Sequence, residues 1–254
     1  MAPSEIEEEI VCVETEDFKK VDKVSSPVAA TSPKQTLITD ETSPTSNFKD
    51  NEKNPLQALK SKVEEAILAN TLFNLDEKSS ETCLLWGVPL LSKEPDKRAD
   101  IVLLKFLRAR DLVVDQAFEM LKKTVQWRQE NNMDSILNEE DDESFKSMAA
   151  IGGKDKDGRL VNFNFCNIEE IIGDDDKREK FLRWRIRLME RGIKTLDFDS
   201  VSEMVQVVDL KNTSFVSRKD VRNGIKKTVE LFQNYYPEFL AKMVTQITLF
   251  STLT

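Results

Sequence analysis

Residues 99–128, ADIVLLKFLRARDLVVDQAFEMLKKTVQWR, constrain the fold more than any other stretch of the chain. Ile101, Leu104 and Leu107 recur at helical spacing, and Ala117, Met120, Leu121, Thr124 and Arg128 continue a similar stripe after an aspartate-bounded joint. Two short amphipathic helices therefore meet here. The first closes on the pair Arg108 and Arg110, and Asp115 is placed to cap the second. On periodicity alone the arginines are solvated or salt-bridged features of a helical hairpin.

Upstream, residues 1–53 are rich in Glu, Ser, Thr and Pro and have no apolar periodicity. Such a segment buries too little surface to offset its ordering entropy and reads as a disordered acidic tail. Its Ser-Pro steps either accept phosphate or belong to a plain solubilising leader. Asn54 and Pro55 then read as the N-cap and first position of a helix that buries Leu56, Leu59, Val63, Ala66 and Ile67. Polar linkers at 76–81 and 93–98 flank LWGVPLL (85–91).

Downstream of the hairpin the pattern changes to strands alternating with helices. The acidic run EEDDE (139–143) lacks the spaced oxygen ligands of a calcium loop and reads as a solvated loop. GGKDKDGR (152–159) lacks the Gly-Lys-Ser/Thr ending of a phosphate loop, and its Asp-Gly step is a turn before the alternating strand 160–165. Residues 174–176 open a helix reaching about Lys194, with its acids where the macrodipole favours them and Leu182, Ile186, Met189 and Ile193 turned inward. Arg183, Arg187 and Arg191 line another face, flanked by Lys180 and Lys194. They form either a patch for an anionic surface or a solvated face tied by Glu179 with Arg183 and Glu190 with Lys194. Residues 204–210 are a nearly continuous apolar strand, as a buried parallel sheet requires. Ser217 and Asp220 start a helix carrying Val221, Ile225, Thr228, Phe232 and Tyr235; Pro237 stops it, and 243–249 is the next strand of a βαβ unit. The outer edge of that strand is expected to lie open, a template for pairing between molecules.

Composition narrows the chemistry. The 254 residues carry a net charge of −9, which argues against nucleic acid as a partner. No apolar run approaches the ~20 residues of a membrane span, and the acidic start is unlike a secretory or transit signal. Cys12, Cys83 and Cys166 are odd in number and widely spaced, as free thiols of a reducing compartment would be. There is no histidine, so Ser-His-Asp and Cys-His catalysis and His-containing zinc sites are excluded, and the cysteine spacing excludes all-Cys zinc sites. No catalytic residue, metal site or cofactor is expected, and the chain is read as a non-enzyme.

LLKFLRARDLVVDQAFEMLKKTVQWR resembles the N-terminal helical segment of the CRAL-TRIO lipid-transfer family. DKDGRLVNFNF, KFLRWRIRLMERGI, VQVVDLKN and QNYYPEFLAK follow in that family's order, and with LWGVPLL and the acidic leader the resemblance narrows to the plant patellins. It implies an α/β fold: a disordered tail (1–53), an N-terminal helical segment (54–135) and an incomplete, mostly parallel lipid-binding domain (145–254). It implies a phosphatidylinositol-type lipid as ligand, with Arg110 and Glu238 at the head group, an arginine giving bidentate contact to phosphate and a carboxylate accepting from inositol hydroxyls. The alternative for these two is a structural pair holding the helices to the core. Members that also hold phosphatidylcholine carry small hydroxyl residues where this chain has Met204 and Gln206, which speaks against that lipid.

The resemblance further implies a cytoplasmic protein acting peripherally at phosphoinositide or anionic membrane surfaces, in membrane trafficking and cell-plate formation. Patellins continue into more sheet, a helical gate and a GOLD domain, so the sequence resembles a patellin truncated within its lipid-binding domain. The competing expectation is a fragment that transfers no lipid and engages protein partners of full-length patellins. The incomplete sheet predicts a marginally folded or self-associating chain.

Overall fold

The computed structural model describes residues 10–13, 48–72, 83–91, 96–165, 175–209 and 219–246. Strand β1 (Ile10–Val13) and helix α1 (Asp50–Leu68) come first, followed by a small hairpin of β2 (Leu84–Leu85) and β3 (Val88–Pro89). Helices α2 (Lys97–Arg108) and α3 (Val114–Glu130), a 3-10 helix (Met133–Asn138) and the single turn α4 (Glu143–Lys146) complete the helical layer. The second layer consists of β4 (Ala149–Lys154), β5 (Leu160–Phe165), α5 (Asp175–Lys194), β6 (Met204–Asp209), α6 (Lys219–Tyr235) and β7 (Leu240–Gln246).

Helix α1 starts one turn before the position that Asn54 and Pro55 suggest. The Lys49 amide donates to Glu52 Oε2 (3.1 Å), and Arg108 clasps the same buried carboxylate through Nε (2.9 Å) and Nη2 (3.1 Å). This long-range pair holds the extra turn, so Pro55 lies inside the helix, where it removes one backbone bond. Leu56, Leu59, Val63 and Ala66 are buried as the stripe predicts. Of the expected tail, 10–13 and 48–53 are described, as β1 and the start of α1; the rest lies outside the described residues.

Helix α2 is amphipathic, as expected, but enclosed further round than its apolar stripe implies. Every residue from Ile101 to Leu107 is buried, including Lys105, because α1, α3 and the β2–β3 hairpin enclose it. Lys97, Arg98 and Arg108 at its two ends are exposed. Its start is capped by Asp96, whose carboxylate accepts from the Arg98 amide (2.9 Å). Asp115, in contrast, is not the cap of α3: Val113 occupies that position, and Asp115 sits in the first turn paired with Lys62 of α1. The α2–α3 joint is tight because Asp111 (φ 50°) and Leu112 (φ 63°) both take left-handed backbone. The buried stripe of α3 is as predicted: Ala117, Met120, Leu121, Thr124 and Arg128.

LWGVPLL folds as the small hairpin, with Trp86 (φ 51°) and Gly87 (φ 77°) at the two central turn positions. Trp86 is held in that conformation by its rings, which stack on Phe106 of α2 (centroids 6.0 Å apart) and meet Phe239 edge-on (4.6 Å).

Among the described residues the main sheet has the order β1-β7-β6-β5-β4. The pairs β5–β6 and β6–β7 are parallel, whereas β4 and β1 are antiparallel edge strands. Strand β4 was not expected from the sequence, because its Gly152 and Gly153 read as loop; the pairing with β5 shifts register there. The turn into β5 is as predicted: Asp155 accepts from the amides of Asp157 (3.0 Å) and Arg159 (2.8 Å), and Gly158 has φ 80°. The βαβ unit is present, but β7 begins at Leu240 rather than 243, because Met204 N–H binds the Phe239 carbonyl (2.8 Å) and starts pairing at once after the Pro237 turn. Its outer edge is not open as expected, since β1 pairs with it from Ile10 opposite Gln246 to Val13 opposite Met243. Ser217 lies outside the described residues.

The crossovers β5–α5–β6 and β6–α6–β7 step in one direction across the sheet, so right-handed connections put both helices on one face. On that face Gly192 of α5 lies so close to β6 that a Cβ would collide with Met204 Sδ. The helical layer is joined to the sheet layer by a buried cluster: Arg128 Nη1 meets Glu190 Oε1 at 2.5 Å, and Tyr236 Oη donates to the same oxygen at 2.7 Å. Burial opposes the Arg128 charge, but Glu190 more than compensates and holds the guanidinium pKa above its usual value.

Candidate functional site

Strand alternation sorts the sheet's side chains between two faces. On the helix-covered face lie Leu160, Asn162, Asn164, Met204, Gln206, Val208 and Met243; of these Asn162, Asn164, Met204 and Gln206 are buried, with Asn162 directly beside Gln206. Asn164 also accepts from Arg185 of α5 and donates toward the Val207 carbonyl (3.4 Å). On the opposite face lie Val161, Phe163 and Phe165 of β5, Val205 and Val207 of β6, and Val244 of β7, with Lys242 and Asp209 toward its two ends. Except for buried Val205, these apolar side chains are half-buried or, for Phe165, exposed. A solvated sheet face is normally polar; an apolar one is built to be covered. Met204 and Gln206, the two positions that spoke against phosphatidylcholine, belong to the covered face.

A polar cavity of about 230 Å³ lies where the parallel strands begin. It is walled by Lys105 and Arg108 of α2, Asp157 and Arg159 ahead of β5, and Ser200, Ser202 and Glu203 ahead of β6. Arg159 is tied to Asp155 (2.8 Å) and Asp157 (2.6 Å), and Arg108 to Glu52. Lys105 is 2% exposed. Its Nζ donates to the Glu238 carbonyl (2.7 Å) and lies 4.7 Å from the Phe239 ring centre. Burial pushes the Lys105 pKa down to about 8, with Arg108 adding to the drop and the carboxylates of Glu203 and Glu238 acting against it.

The two head-group positions are placed as follows. Glu238 stands in the turn ahead of β7 with φ 53°, its side chain exposed and its charge felt by both Lys105 and Arg108. Arg110 is half-buried in the strained α2–α3 joint, and its Nη1 donates to the Ala109 carbonyl (2.7 Å). Among the described contacts Arg110 and Glu238 form no ion pair; the Glu238 carbonyl accepts from Lys105 Nζ, and the Glu238 charge acts on Lys105 and Arg108. Sequence reasoning missed Lys105, Arg159 and Glu203. The available signal for Lys105 was a lone cation inside IVLLKFL, where every neighbour is apolar.

The arginine face of α5 requires a correction. Arg183 pairs with Glu139 and donates to the Asn131 carbonyl (3.0 Å), Arg187 is buried against Asp141 (3.1 Å) and the Glu140 carbonyl (2.6 Å), and Arg191 reaches Asp141 (2.5 Å). The acidic run and the arginine ladder, read separately as a solvated loop and an open or self-tied face, neutralise each other. The helix pairs expected within α5 are replaced by these long-range ones, and Glu190 serves Arg128 rather than Lys194. Lys180 pairs with Asp176 (2.7 Å), and Lys194 is exposed. Neither a three-residue metal-binding cluster nor a helix long and apolar enough to cross a membrane occurs among the described residues.

Helical segment, mostly parallel sheet and polar cavity together define a class. Sequence profiles of the CRAL/TRIO N-terminal domain and the CRAL/TRIO domain match residues 55–123 and 145–246, and the chain belongs to the CRAL/TRIO family. Among its relatives are plant patellins. It is 46% identical to Patellin-4 of Arabidopsis thaliana over 173 residues (66% of this chain, 32% of that protein). It is 39% identical to Patellin-3 of the same plant over 212 residues (80% of this chain, 42% of that protein). A protein named phosphatidylinositol transfer protein sfh5 from Emericella nidulans is 31% identical over 179 residues (61% of this chain, 43% of that protein). The crystal structure of Sfh5 superposes with a TM-score of 0.62 at 27% identity, covering 76% of this chain and 70% of that one. The chain thus spans less than half the length of these curated relatives.

Proposed function

We propose that this protein binds a lipid of the phosphatidylinositol type and carries it as a peripheral membrane protein, with no catalytic step. The observation that carries the reading is the sheet face turned away from α5, where Val161, Phe163, Val207 and Val244, half-buried, and Phe165, exposed, form an apolar floor. Acyl chains need such a floor, and a phosphorylated head needs donors and acceptors nearby. Glu238 and Arg110 are the head-group residues in this reading, Glu238 accepting from inositol hydroxyls and Arg110 donating to phosphate. The name of the fungal relative supports the ligand class; action at cytoplasmic membrane surfaces, in trafficking and cell-plate formation, is what the resemblance to patellins implies.

Vesicle co-sedimentation and transfer assays with phosphatidylinositol test this. Arg110→Ala should weaken binding more than Arg108→Ala, because losing bidentate bonds to a phosphate costs on the order of 2 kcal/mol. Equal binding by both variants would make Arg110 structural only. Binding without transfer would leave a lipid-binding interaction module, and no binding by the unaltered chain would remove the reading altogether.

A further inference from the structure

We infer that Lys105 is a positioning residue that fixes the turn ahead of β7, so that Glu238 keeps its left-handed backbone and holds its carboxylate within electrostatic reach of Lys105 and Arg108. What that carboxylate then meets rests on the lipid-binding reading above.

The position is costly for a lysine. Leu104 and Phe106 on either side are buried, and a methionine would fill the same space without burying an ammonium group. The depressed pKa records that cost. Stability of the helical layer therefore gives no reason for a cation here, and the reason lies in what the cation touches. It touches the Glu238 carbonyl at 2.7 Å and the face of Phe239 at 4.7 Å.

Glu238 is the residue of that turn in need of a restraint. Its φ of 53° lies in the left-handed region, which is disfavoured for a residue with a Cβ. Its neighbours are already anchored: Tyr236 by its hydroxyl on Glu190 (2.7 Å), and Phe239 by its carbonyl on the Met204 amide (2.8 Å). The ammonium supplies the third anchor, on the peptide that the strained residue itself contributes. A charged donor on a carbonyl is stronger than a neutral one, and its fixed stem inside α2 makes it a rigid one. Since the carbonyl is engaged inward, the carboxylate stays on the exposed side, where Lys105 and Arg108 still feel its charge. A merely space-filling role would need neither the charge nor the hydrogen bond.

The test has a lipid-free arm and a lipid arm. In native-state hydrogen exchange, Lys105→Met should speed exchange of the turn and β7 amides at 238–241 by about tenfold, while the α2 amides stay protected and Lys105→Arg leaves the turn near its original rate. Unchanged turn exchange in Lys105→Met overturns the proposal whatever the lipid results. Should Lys105→Met fail to fold, Lys105→Gln makes the same comparison with a neutral donor. In phosphatidylinositol-vesicle binding, Lys105→Met and Glu238→Gln should each lose about tenfold, and the double variant no more than either alone. Normal binding by Lys105→Met beside weakened Glu238→Gln would also overturn it. If the unaltered chain binds no such vesicles, the lipid-binding reading falls, and the exchange arm still decides what Lys105 does.

Discussion

The helical layer and the sheet layer of this protein are finished to different standards. In the first, α2 is enclosed on every side, from Ile101 to Leu107. In the second, one sheet face is packed against α5 while the other presents Val161, Phe163, Phe165, Val207 and Val244 half-buried or exposed. Burial of apolar area is the main source of stability, at about 25 cal/mol per Å², so the two layers contribute unequally. The closed layer supplies a rigid frame, and the open one supplies a surface that gains by being covered. The polar groups follow the same division. Those at the layer junction, Arg128 with Glu190 and Tyr236, are buried and mutually bonded, whereas Glu238 is exposed.

The sharpest way to break this contrast is at the junction. Arg128→Met should destabilise the protein by about 3–5 kcal/mol, because it leaves the Glu190 carboxylate and the Tyr236 hydroxyl buried without their cation. Asp134, the other partner of Arg128 at 3.5 Å, is almost fully exposed, and Asp134→Ala should change stability by less than about 0.5 kcal/mol. Urea denaturation of both variants checks the pair. A small effect for Arg128→Met would mean that the layers are held together by apolar packing alone.

A second measurement separates the buried cation of the helical layer from the carboxylates around it. The folded-state pKa of Lys105 is about 8, against 10.5 for an ordinary lysine. Below pH 8 both folded and unfolded chains hold the proton, and its contribution does not vary with pH. Between pH 8 and 10.5 the unfolded chain still holds the proton that the folded chain has released. The unfolded state then binds more protons, so stability rises with pH across that window. The gain between pH 7 and 9.5 should be about 2 kcal/mol relative to Lys105→Met, in which it is absent. Glu203, Glu238, Asp157, Arg108 and Arg159 face or flank the ammonium in both proteins, so the comparison with Lys105→Met cancels what they contribute. Stopping at pH 9.5 also avoids Tyr236, whose hydroxyl is held protonated well above its usual pKa by burial and by Glu190. A flat difference between wild type and Lys105→Met across this range would show that Lys105 is not enclosed as α2 places it.

The two layers also differed in how far they could be read in advance. Local patterns located α1, α2, α3, α5, β5, β6 and the βαβ unit, because each carries its periodicity or turn chemistry within itself. What local pattern could not reach was pairing across distance. Glu52 with Arg108 moves the start of α1, and Lys62 takes Asp115 away from capping. Glu139 and Asp141 occupy the α5 arginines, and β1 closes an edge more than two hundred residues away in sequence. β4 was hidden for a different reason: its glycines suit a loop as well as an irregular edge strand. The candidate site was legible only through family resemblance at Arg110 and Glu238, since nothing local to QNYYPEF announces that Glu238 takes a left-handed backbone. Lys105 could have been flagged as an anomaly in an apolar helix, but its partner lies 133 residues on.

On the open face a smaller change in stability bears most directly on function. Phe165 is 44% exposed at the end of β5, among the most exposed large apolar side chains described. Phe165→Ser removes about half a ring of buried area, so urea denaturation should shift by about 1 kcal/mol. If the face were an ordinary solvated one, nothing else would change. If acyl chains cover it, the bound state loses an aromatic contact that the free state never had. Binding to phosphatidylinositol vesicles should then fall several-fold, since full burial of such a side chain is worth about 1.5–3 kcal/mol. The same substitution read on the closed layer, Leu104→Ala, has the opposite signature, with a loss of about 2–5 kcal/mol in stability and a binding defect only insofar as the frame is lost. Equal lipid binding by Phe165→Ser would place the acyl chains elsewhere and leave the apolar face of β5 without the role assigned to it.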